Sequence, residues 1–311
     1  MSQLDQDTWK RTFSAIQRQA RRLVRKRGRL KKARYSDMLA AGMYFWSVLH
    51  DRPMKWAADK DHYGRLYRPR RLMSRSQLGR RVSSPRFQEL LTMIHHDLAG
   101  GVESCGLSYL DGKPLTVGVA SRDPDAKRGH VMGGFAKGYK VHICSTSDRR
   151  IPLWSVQSLN CGETLAAEAL IAHMPMFSSQ ALVLGDGAYD SQRLYNALAL
   201  KNAALLARPR GLNLTHMDAW QKGRHPKSKE SGPVRTEAMA AWKNLPGPAA
   251  WIYRQRIHVE GTLSNLCSFG GGLGPLPPWV RGLPRVRRWV GAKIILYHAR
   301  FHARHGQTDA Q

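Results

Sequence analysis

The chain has 311 residues, of which 50 are Lys or Arg and 22 are Asp or Glu, so its formal net charge at pH 7 is +28. Hydrophobic residues make up 42% of the sequence, which is enough for one large domain or two and excludes a disordered basic tail. The positive charge indicates a polyanionic partner. Nucleic acid is the first candidate, because Lys and Arg neutralise phosphates and release counterions.

Membrane and structural-zinc functions have little support in the sequence. The longest apolar stretch, residues 38–49, is shorter than the roughly 18 residues that span a bilayer, and residues 1–10 lack a signal-peptide core. The four cysteines form no CxxC pair, and His95-His96 has no partner at helical ligand spacing. We therefore expect a cytosolic protein without a membrane partner and without a structural zinc site.

The first predicted helix is strongly basic. Residues 10–34 contain no acidic residue, and apolar residues recur at helical spacing within them: Phe13, Ile16, Ala20 and Leu23. This pattern predicts a helix with one apolar stripe and a cationic remainder. The cationic side is either a contact to a DNA backbone or a solvated basic face, and the two interpretations carry equal weight here.

Residues 74–98 have a pattern similar to a helix-turn-helix. A short polar helix is followed by a break, after which Ser84 is a helix cap and Pro85 the first helical residue. The second helix has a core face of four apolar residues: Phe87, Leu90, Leu91 and Ile94. An ordinary helical pair explains this pattern at least as well as a DNA-binding motif. Residues 1–104 are therefore predicted to form a helical, basic N-terminal region.

From residue 106 the sequence changes to β character. Residues 106–119 predict a strand that ends at Asp111, and residues 138–159 predict two strands joined by a turn at 147–150. The later predicted elements are a helix over 163–174, a strand over 181–184, a helix over 192–202, a strand over 204–207 and a helix over 249–267. This order predicts an α/β fold with a mixed sheet flanked by helices.

Three carboxylates stand out against the basic background. Asp111 and Asp186 are each predicted at the carboxyl end of a strand, where ligands meet α/β sheets. Glu260 lies on the helix predicted after a polar insertion rich in Gly, Pro and Lys. Three carboxylates brought together repel each other, and a hard divalent cation such as Mg²⁺ relieves the repulsion while leaving sites for water and phosphate. Two such ions can promote an in-line phosphoryl displacement.

Each carboxylate also has a structural explanation. Asp111 and its glycine are consistent with a turn, Asp186 and its glycine with an Asx-type turn, and Glu260 with a helical ion pair to Arg256. Taken singly, these explanations are the stronger. Taken together, in strand, strand and helix contexts within a basic chain, the three acids fit a metal site for a phosphodiester substrate better than independent turns.

The same residues resemble the DDE transposases of bacterial insertion sequences, in the group whose third acid lies in a Y-x2-R-x3-E-x6-K signature. Tyr253, Arg256 and Glu260 match the signature, but Cys267 stands where it has lysine. Lys293 and Arg281 are the candidates to replace that lysine. The segments that are also similar to the family's are DGKP at 111–114, GYKVH at 138–142 and GDGAYDS at 185–191. The resemblance covers about residues 105–305.

The resemblance implies a ribonuclease H-like core with an insertion before the glutamate helix. Asp111, Asp186 and Glu260 would bind two Mg²⁺ ions, for which Mn²⁺ can substitute, and Tyr253 and Arg256 would hold the phosphate near the cut. Such an enzyme cuts DNA at the element's ends and joins the freed 3′-hydroxyls to DNA. Its DNA partners would be the terminal inverted repeats and the target, bound by a homodimer at the nucleoid in the bacterial cytoplasm.

The predicted domain organisation follows from these features. It comprises a basic, helical DNA-binding region at 1–104, the first part of the catalytic core at 105–210, the insertion at 211–248, the second part of the core with the glutamate helix at 249–305, and a tail at 306–311. Three other functions remain open: a sequence-tolerant metal nuclease of the same fold, a catalytically inactive DNA-binding relative, and a protein that packages RNA or DNA. The last needs no carboxylate cluster.

Overall fold

The computed structural model of the protein describes residues 3–31, 33–100, 106–209 and 232–305. These residues form two compact units. One contains the chain up to Gly100 and again from Asn265, and the other contains the chain between these two segments. Most of the predicted insertion and the predicted tail lie outside the described residues, and the predicted domain boundaries stay predictions.

The described residues contain ten α-helices and six strands. In chain order they are α1 (Gln3–Arg27), α2 (Asp37–Leu49), α3 (Arg75–Val82), α4 (Pro85–Ala99), β1 (Leu107–Thr116), β2 (Lys127–Val131), β3 (Gly134–Thr146), β4 (Leu153–Ser158), α5 (Glu163–Ala172), β5 (Ala181–Gly185), α6 (Gln192–Ala199), β6 (Ala203–Ala207), α7 (Pro233–Asn244), α8 (Pro246–Arg254), α9 (Ile257–Cys267) and α10 (Leu283–His305). No helix among them is long and apolar enough to cross a membrane.

The helical unit is held together by the apolar stripe of α1. Ile16, Ala20 and Leu23 are fully or almost fully buried, as the spacing predicts. Helix α1 packs against α4 and α10. Because the cationic residues of α1 occupy the other positions of the helix, burial of this stripe leaves most of them at the surface.

The junction between α3 and α4 confirms the predicted helix-turn-helix-like pattern. The hydroxyl of Ser84 accepts a hydrogen bond from the backbone N–H of Phe87, and Pro85 is the first residue of α4. At the start of α3, Ser74 and Gln77 form a reciprocal capping box. A cap of this kind stabilises a helix by about 1 kcal/mol, so local sequence favours a turn at this position.

The α/β unit is built on one sheet. Among the described strands the order is β2-β3-β1-β5-β6, and β4 also pairs with β3. Strand β3 is antiparallel to β1, β2 and β4, whereas β5 is parallel to both β1 and β6. The predicted mixed sheet is therefore confirmed. Strand β2 was not predicted, because its sequence, KRGHV, begins with two charged residues and contains glycine.

Helices lie on both faces of this sheet. On one face α5 and α6 bury an apolar cluster that includes Leu110, Ala167 and Leu194. On the other face the ring of Tyr109 lies 5.9 Å from the ring of His258 on α9. Adjacent residues of a strand point to opposite faces, which is how Tyr109 and Leu110 serve two layers. The fold class is the predicted one in its architecture, an α/β fold in which helices flank a mixed sheet.

Strand β1 runs farther than predicted. It continues to Thr116, so Asp111 lies within a strand and the expected end of the strand at that residue is wrong. Gly112 serves close approach instead of a turn, since a Cβ there would lie 2.6 Å from Cε of Lys140. Pro114 is tolerated because the pairing of β1 with β5 ends at Tyr109, which leaves an open strand edge beyond it.

The helix predicted over 249–267 is two helices. Helix α8 ends at Arg254 and α9 begins at Ile257. Between them the backbone bonds span three residues: the N–H of Arg256 donates to the carbonyl of Tyr253, and the N–H of Val259 to that of Arg256, each at 3.0 Å. Tyr253 therefore belongs to the first helix and Glu260 to the second.

Candidate active site

The two aspartates lie side by side on parallel strands. Tyr109 of β1 is paired with Leu184 of β5, so continuing the register by two residues brings Asp111 level with Asp186. Asp186 directly follows β5, and its Oδ1 accepts a hydrogen bond from the backbone N–H of Ala188 at 2.8 Å. The Asx-type turn considered for Asp186 is thus present. It fixes the backbone that carries the carboxylate beside Asp111.

Arg256 joins the third acid to the first. Its Nη2 lies 2.5 Å from Oε1 of Glu260, and its Nη1 lies 3.7 Å from Oδ2 of Asp111. The ion pair considered for Glu260 is therefore also present. Since Arg256 occupies the turn between α8 and α9, one guanidinium contacts carboxylates from two distant parts of the sequence. Of the three predicted acids, Asp111 and Glu260 contact it, and the charge of Asp186 also acts on it.

Asp111 and Arg256 shift each other's pKa values. Burial raises the pKa of Asp111, and the charge of Asp186 raises it further, while the Gly112 N–H and the charges of Arg256 and Lys140 lower it; the net shift is upward. Burial lowers the pKa of Arg256, but Tyr253 and then the three acids raise it by more, so the net shift is upward. The charges of the three acids therefore act on one guanidinium in a partly buried setting.

Tyr253 stands at the edge of this group. It is 7% exposed, and its ring makes an edge-on contact with the ring of Trp242 on α7, with centroids 5.5 Å apart. Burial raises the pKa of its hydroxyl, opposed first by the charge of Arg256 and then by that of Arg208. Tyr253 thus combines a core-packed ring with a neutral hydroxyl beside two guanidinium groups.

Two cationic residues near the site were not predicted. Lys140 on β3 pairs with Glu163 at the start of α5, and the charges of Asp186 and Asp111 act on its ammonium, although burial lowers its pKa overall. Arg208 is exposed and follows β6, whose Ala207 is paired with Gly185, so it lies level with Asp186. Two features of the sequence could have indicated these cations. Lys140 falls within the GYKVH segment, and Arg208 directly follows a predicted strand.

A histidine lies beneath the strand that carries Asp111. His142 of β3 is opposite Gly112 and is 1% exposed. Neither ring nitrogen has a hydrogen-bond partner among the described residues, and burial lowers its pKa to about 4. A neutral, enclosed imidazole adds no positive charge to the site.

Lys293 and Arg281, the candidates to replace the signature lysine, both donate hydrogen bonds within the protein. Lys293 is fully buried, and its Nζ donates to the carbonyl of Val48, to Oδ1 of Asp51 and to the carbonyl of Gly271 at 2.6–2.8 Å. An ammonium has three donors, so Lys293 has none left for a phosphate. Arg281 donates to the carbonyls of its own turn.

The donor set fits a divalent cation in part. Asp111 and Asp186 are neighbouring carboxylates, the ligand type that Mg²⁺ prefers, and their mutual repulsion is what a cation would relieve. Glu260 is directed to Arg256. In the part of the chain that the structure describes, no three His, Cys, Asp or Glu side chains are grouped closely enough to hold one ion. Completing the site requires Glu260 to exchange Arg256 for the metal.

Comparison with known protein families identifies the family of this chain. The family described as "Transposase DDE domain" matches residues 107–273, which is more than half of the chain and includes all three acids. A solved structure, the piggyBac transposase synaptic complex with hairpin DNA, is similar with a TM-score of 0.44 and 10% identity over 95% of this chain and 73% of that chain. No curated protein matches the sequence significantly. The chain belongs to the transposase DDE domain family.

Proposed function

We propose that this protein is a DNA transposase that cuts DNA at the ends of a mobile element and joins the 3′-hydroxyls to DNA. In this proposal Asp111, Asp186 and Glu260 are the metal ligands. One observation carries it: in a strongly basic, DDE-family chain, Arg256 contacts carboxylates from β1 and α9, and the charge of Asp186 at the end of β5 also acts on it. If these acids served only separate turns, nothing would require them to act on the same guanidinium.

The metal ligands would hold two Mg²⁺ ions, or Mn²⁺ in their place. When bound, such ions supply Lewis-acid activation of the attacking and leaving oxygens of a phosphodiester. Asp111 and Asp186 support this role through their adjacency and through the raised pKa of Asp111, which marks a carboxylate that gains from a nearby cation.

Arg256 would change partners in the working enzyme. With Glu260 released from it, the guanidinium presents two parallel donors that match a phosphate. The hydroxyl of Tyr253 lies next to it and would donate to the same phosphate. Lys140 and Arg208 would add positive charge along the two sides of the aspartate pair. These residues would hold the scissile phosphate in place of the lysine that the signature has at position 267.

The proposed partners follow from the same chemistry. Terminal repeats and target DNA would be bound by a homodimer, since two ends must be held together, within the bacterial nucleoid. The net charge of +28 supports a polyanionic partner of this size. The N-terminal unit, whose α1 exposes a cationic side, would contribute to DNA binding.

The test is excision of a marked DNA segment flanked by the sequences that border this gene. We expect Mg²⁺-dependent excision by the wild type and none by Asp186→Asn or Glu260→Gln, at equal DNA binding and equal folding. These variants remove charge with little change in volume. The matched control is Glu237→Gln, which removes the same charge from an exposed position on α7 and should excise normally.

Other outcomes separate the alternatives. Cutting without dependence on particular DNA ends indicates a nuclease of the same fold. No excision by any version, with DNA binding unchanged, indicates an inactive relative, and Cys267→Lys is then the variant to test for recovery. Excision that survives both carboxylate substitutions refutes the proposed site.

A further inference from the structure

Strands β2 and β3 form a hairpin with exposed apolar side chains at its tip. Met132 in the turn is fully exposed and Phe135 is 73% exposed. Large apolar side chains at such exposure, three residues apart at the tip of one hairpin, are typical of a surface that contacts a partner. Gly133 and Gly134 both have positive φ, at 89° and 143°, and this conformation allows a tight turn between β2 and β3.

The two faces of the hairpin differ. On one face, a Cβ at Gly129 would lie 2.4 Å from the carbonyl oxygen of Leu159, so the chain itself closes that face. On the other face His130 is opposite Phe135, and their rings lie 4.3 Å apart. Side chains of directly opposed residues share a face, so the aromatic pair forms an open platform.

This open face is cationic at its base. Arg128 is opposite Lys137, two residues along from the aromatic pair and therefore on the same face. Residues 127–137 contain two lysines, one arginine and no acidic residue. A self-complementary contact with a second copy would place this charge against itself. The charge instead complements a polyanion.

The hairpin also points beyond the sheet end that bears the aspartates. Asp111 is opposite Ile143, and β3 takes nine residue steps from Ile143 to Gly134 at the turn. At about 3.3 Å per residue this is about 30 Å. The same length of duplex contains about nine base pairs at 3.4 Å each. A duplex cut at the aspartates is thus long enough to reach the tip.

We propose that the 127–137 hairpin is a DNA contact in which Phe135 and Met132 insert against base steps about nine base pairs from the cut and Arg128 contacts a phosphate. This inference rests on the proposed function, because it takes DNA as the substrate. Phe and Met are among the side chains that proteins wedge between base steps, and two-stranded ribbons fit a DNA groove.

The decisive experiment is site-specific photocrosslinking in the full-length protein. A p-benzoylphenylalanine is placed at position 135 and, as the matched control, at Leu200, which is 76% exposed at the opposite end of the sheet. The probe is a 60-base-pair duplex taken from the DNA that borders this gene. We expect crosslinks to DNA from position 135 and not from position 200. Crosslinks from position 135 to a second protein chain, or equal DNA crosslinking from both positions, would overturn the inference.

Affinity measurements give a second readout. We expect Phe135→Ser to weaken duplex binding by at least about fivefold. Its salt dependence should stay unchanged, because no charge is lost, whereas Arg128→Gln should reduce the salt slope by about one. Undiminished affinity of Phe135→Ser, with wild-type binding intact, would overturn the hairpin contact and leave the proposed function standing. A folded wild type that binds no duplex would overturn both.

Discussion

Arg235→Gln tests how strongly the unit that carries the acids depends on one buried ion pair. The Arg235 guanidinium on α7 donates through Nε and Nη2 to the two oxygens of Asp190, at 2.9 Å each. Asp190 lies four residues after Asp186, so this pair ties α7 to the segment that carries an active-site acid. Its loss should loosen that segment.

The magnitude follows from burial. The side chain of Asp190 is 0% exposed and that of Arg235 is 17% exposed. Removing one partner of a buried pair leaves a carboxylate out of water without its cation, which costs about 3–5 kcal/mol. The exposed pair between Arg193 and Glu168 has a similar distance, 2.7 Å, but exposures of 61% and 36%. Its loss should cost at most about 1 kcal/mol.

The assay is urea unfolding followed by tryptophan fluorescence. Trp242 on α7 is fully buried and donates to the carbonyl of Ala207 at 3.1 Å, so it reports on this region. Arg235→Gln should lower the free energy of unfolding several times more than Arg193→Gln. Adding Asp190→Asn to Arg235→Gln should recover part of the loss, because the buried charge is gone. If both single variants cost the same, burial does not set the strength of this pair and the reasoning is refuted.

Three further predictions concern the acids and the hairpin. Asp111→Asn should stabilise the metal-free protein at pH 7, because the raised pKa of Asp111 means that its ionised carboxylate destabilises the fold. This gain in the free energy of unfolding should vanish as the pH falls below about 3.9, where the carboxyl is protonated in both the folded and the unfolded state. A gain that persists below that pH contradicts the prediction. Arg256→Gln should shift the acid side of the pH profile of DNA cleavage to higher pH, since the arginine lowers the pKa of Asp111, and an unmoved profile argues against that role. Gly129→Ala should lower the melting temperature, at a cost of about 1–3 kcal/mol, because its methyl group meets a backbone carbonyl at 2.4 Å; an unchanged melting scan means that the hairpin relaxes.

Sequence patterns predicted best what local interactions decide. The start of α4 is an example, because Ser84 and Pro85 satisfy their own helix terminus without distant residues. Most strands of the mixed sheet and most helices beside it were also predicted, since their apolar runs are bounded by turn residues. The extent of β1 was not, because the residues that make Gly112 a site of close approach lie on another strand.

Sequence patterns singled out the three acids and Arg256 but missed Lys140 and Arg208. A lone acid in a basic chain is conspicuous, whereas Lys140 and Arg208 are two among 50 basic residues. Their nearness to the aspartates depends on strand register, which brings Ala207 beside Gly185 and is not readable from a single strand. The assignment of the acids as metal ligands and of Tyr253 and Arg256 as phosphate contacts stays a prediction.

The turn between α8 and α9 changes what the spacing of the signature means. In one continuous helix the seven residues from Tyr253 to Glu260 would cover two turns less about 20°, so both side chains would share one face in a fixed helical phase. The three-residue backbone bonds at Arg256 break that phase. The spacing is therefore a distance along the chain, and the direction of the Glu260 side chain depends on how α9 is placed after the turn.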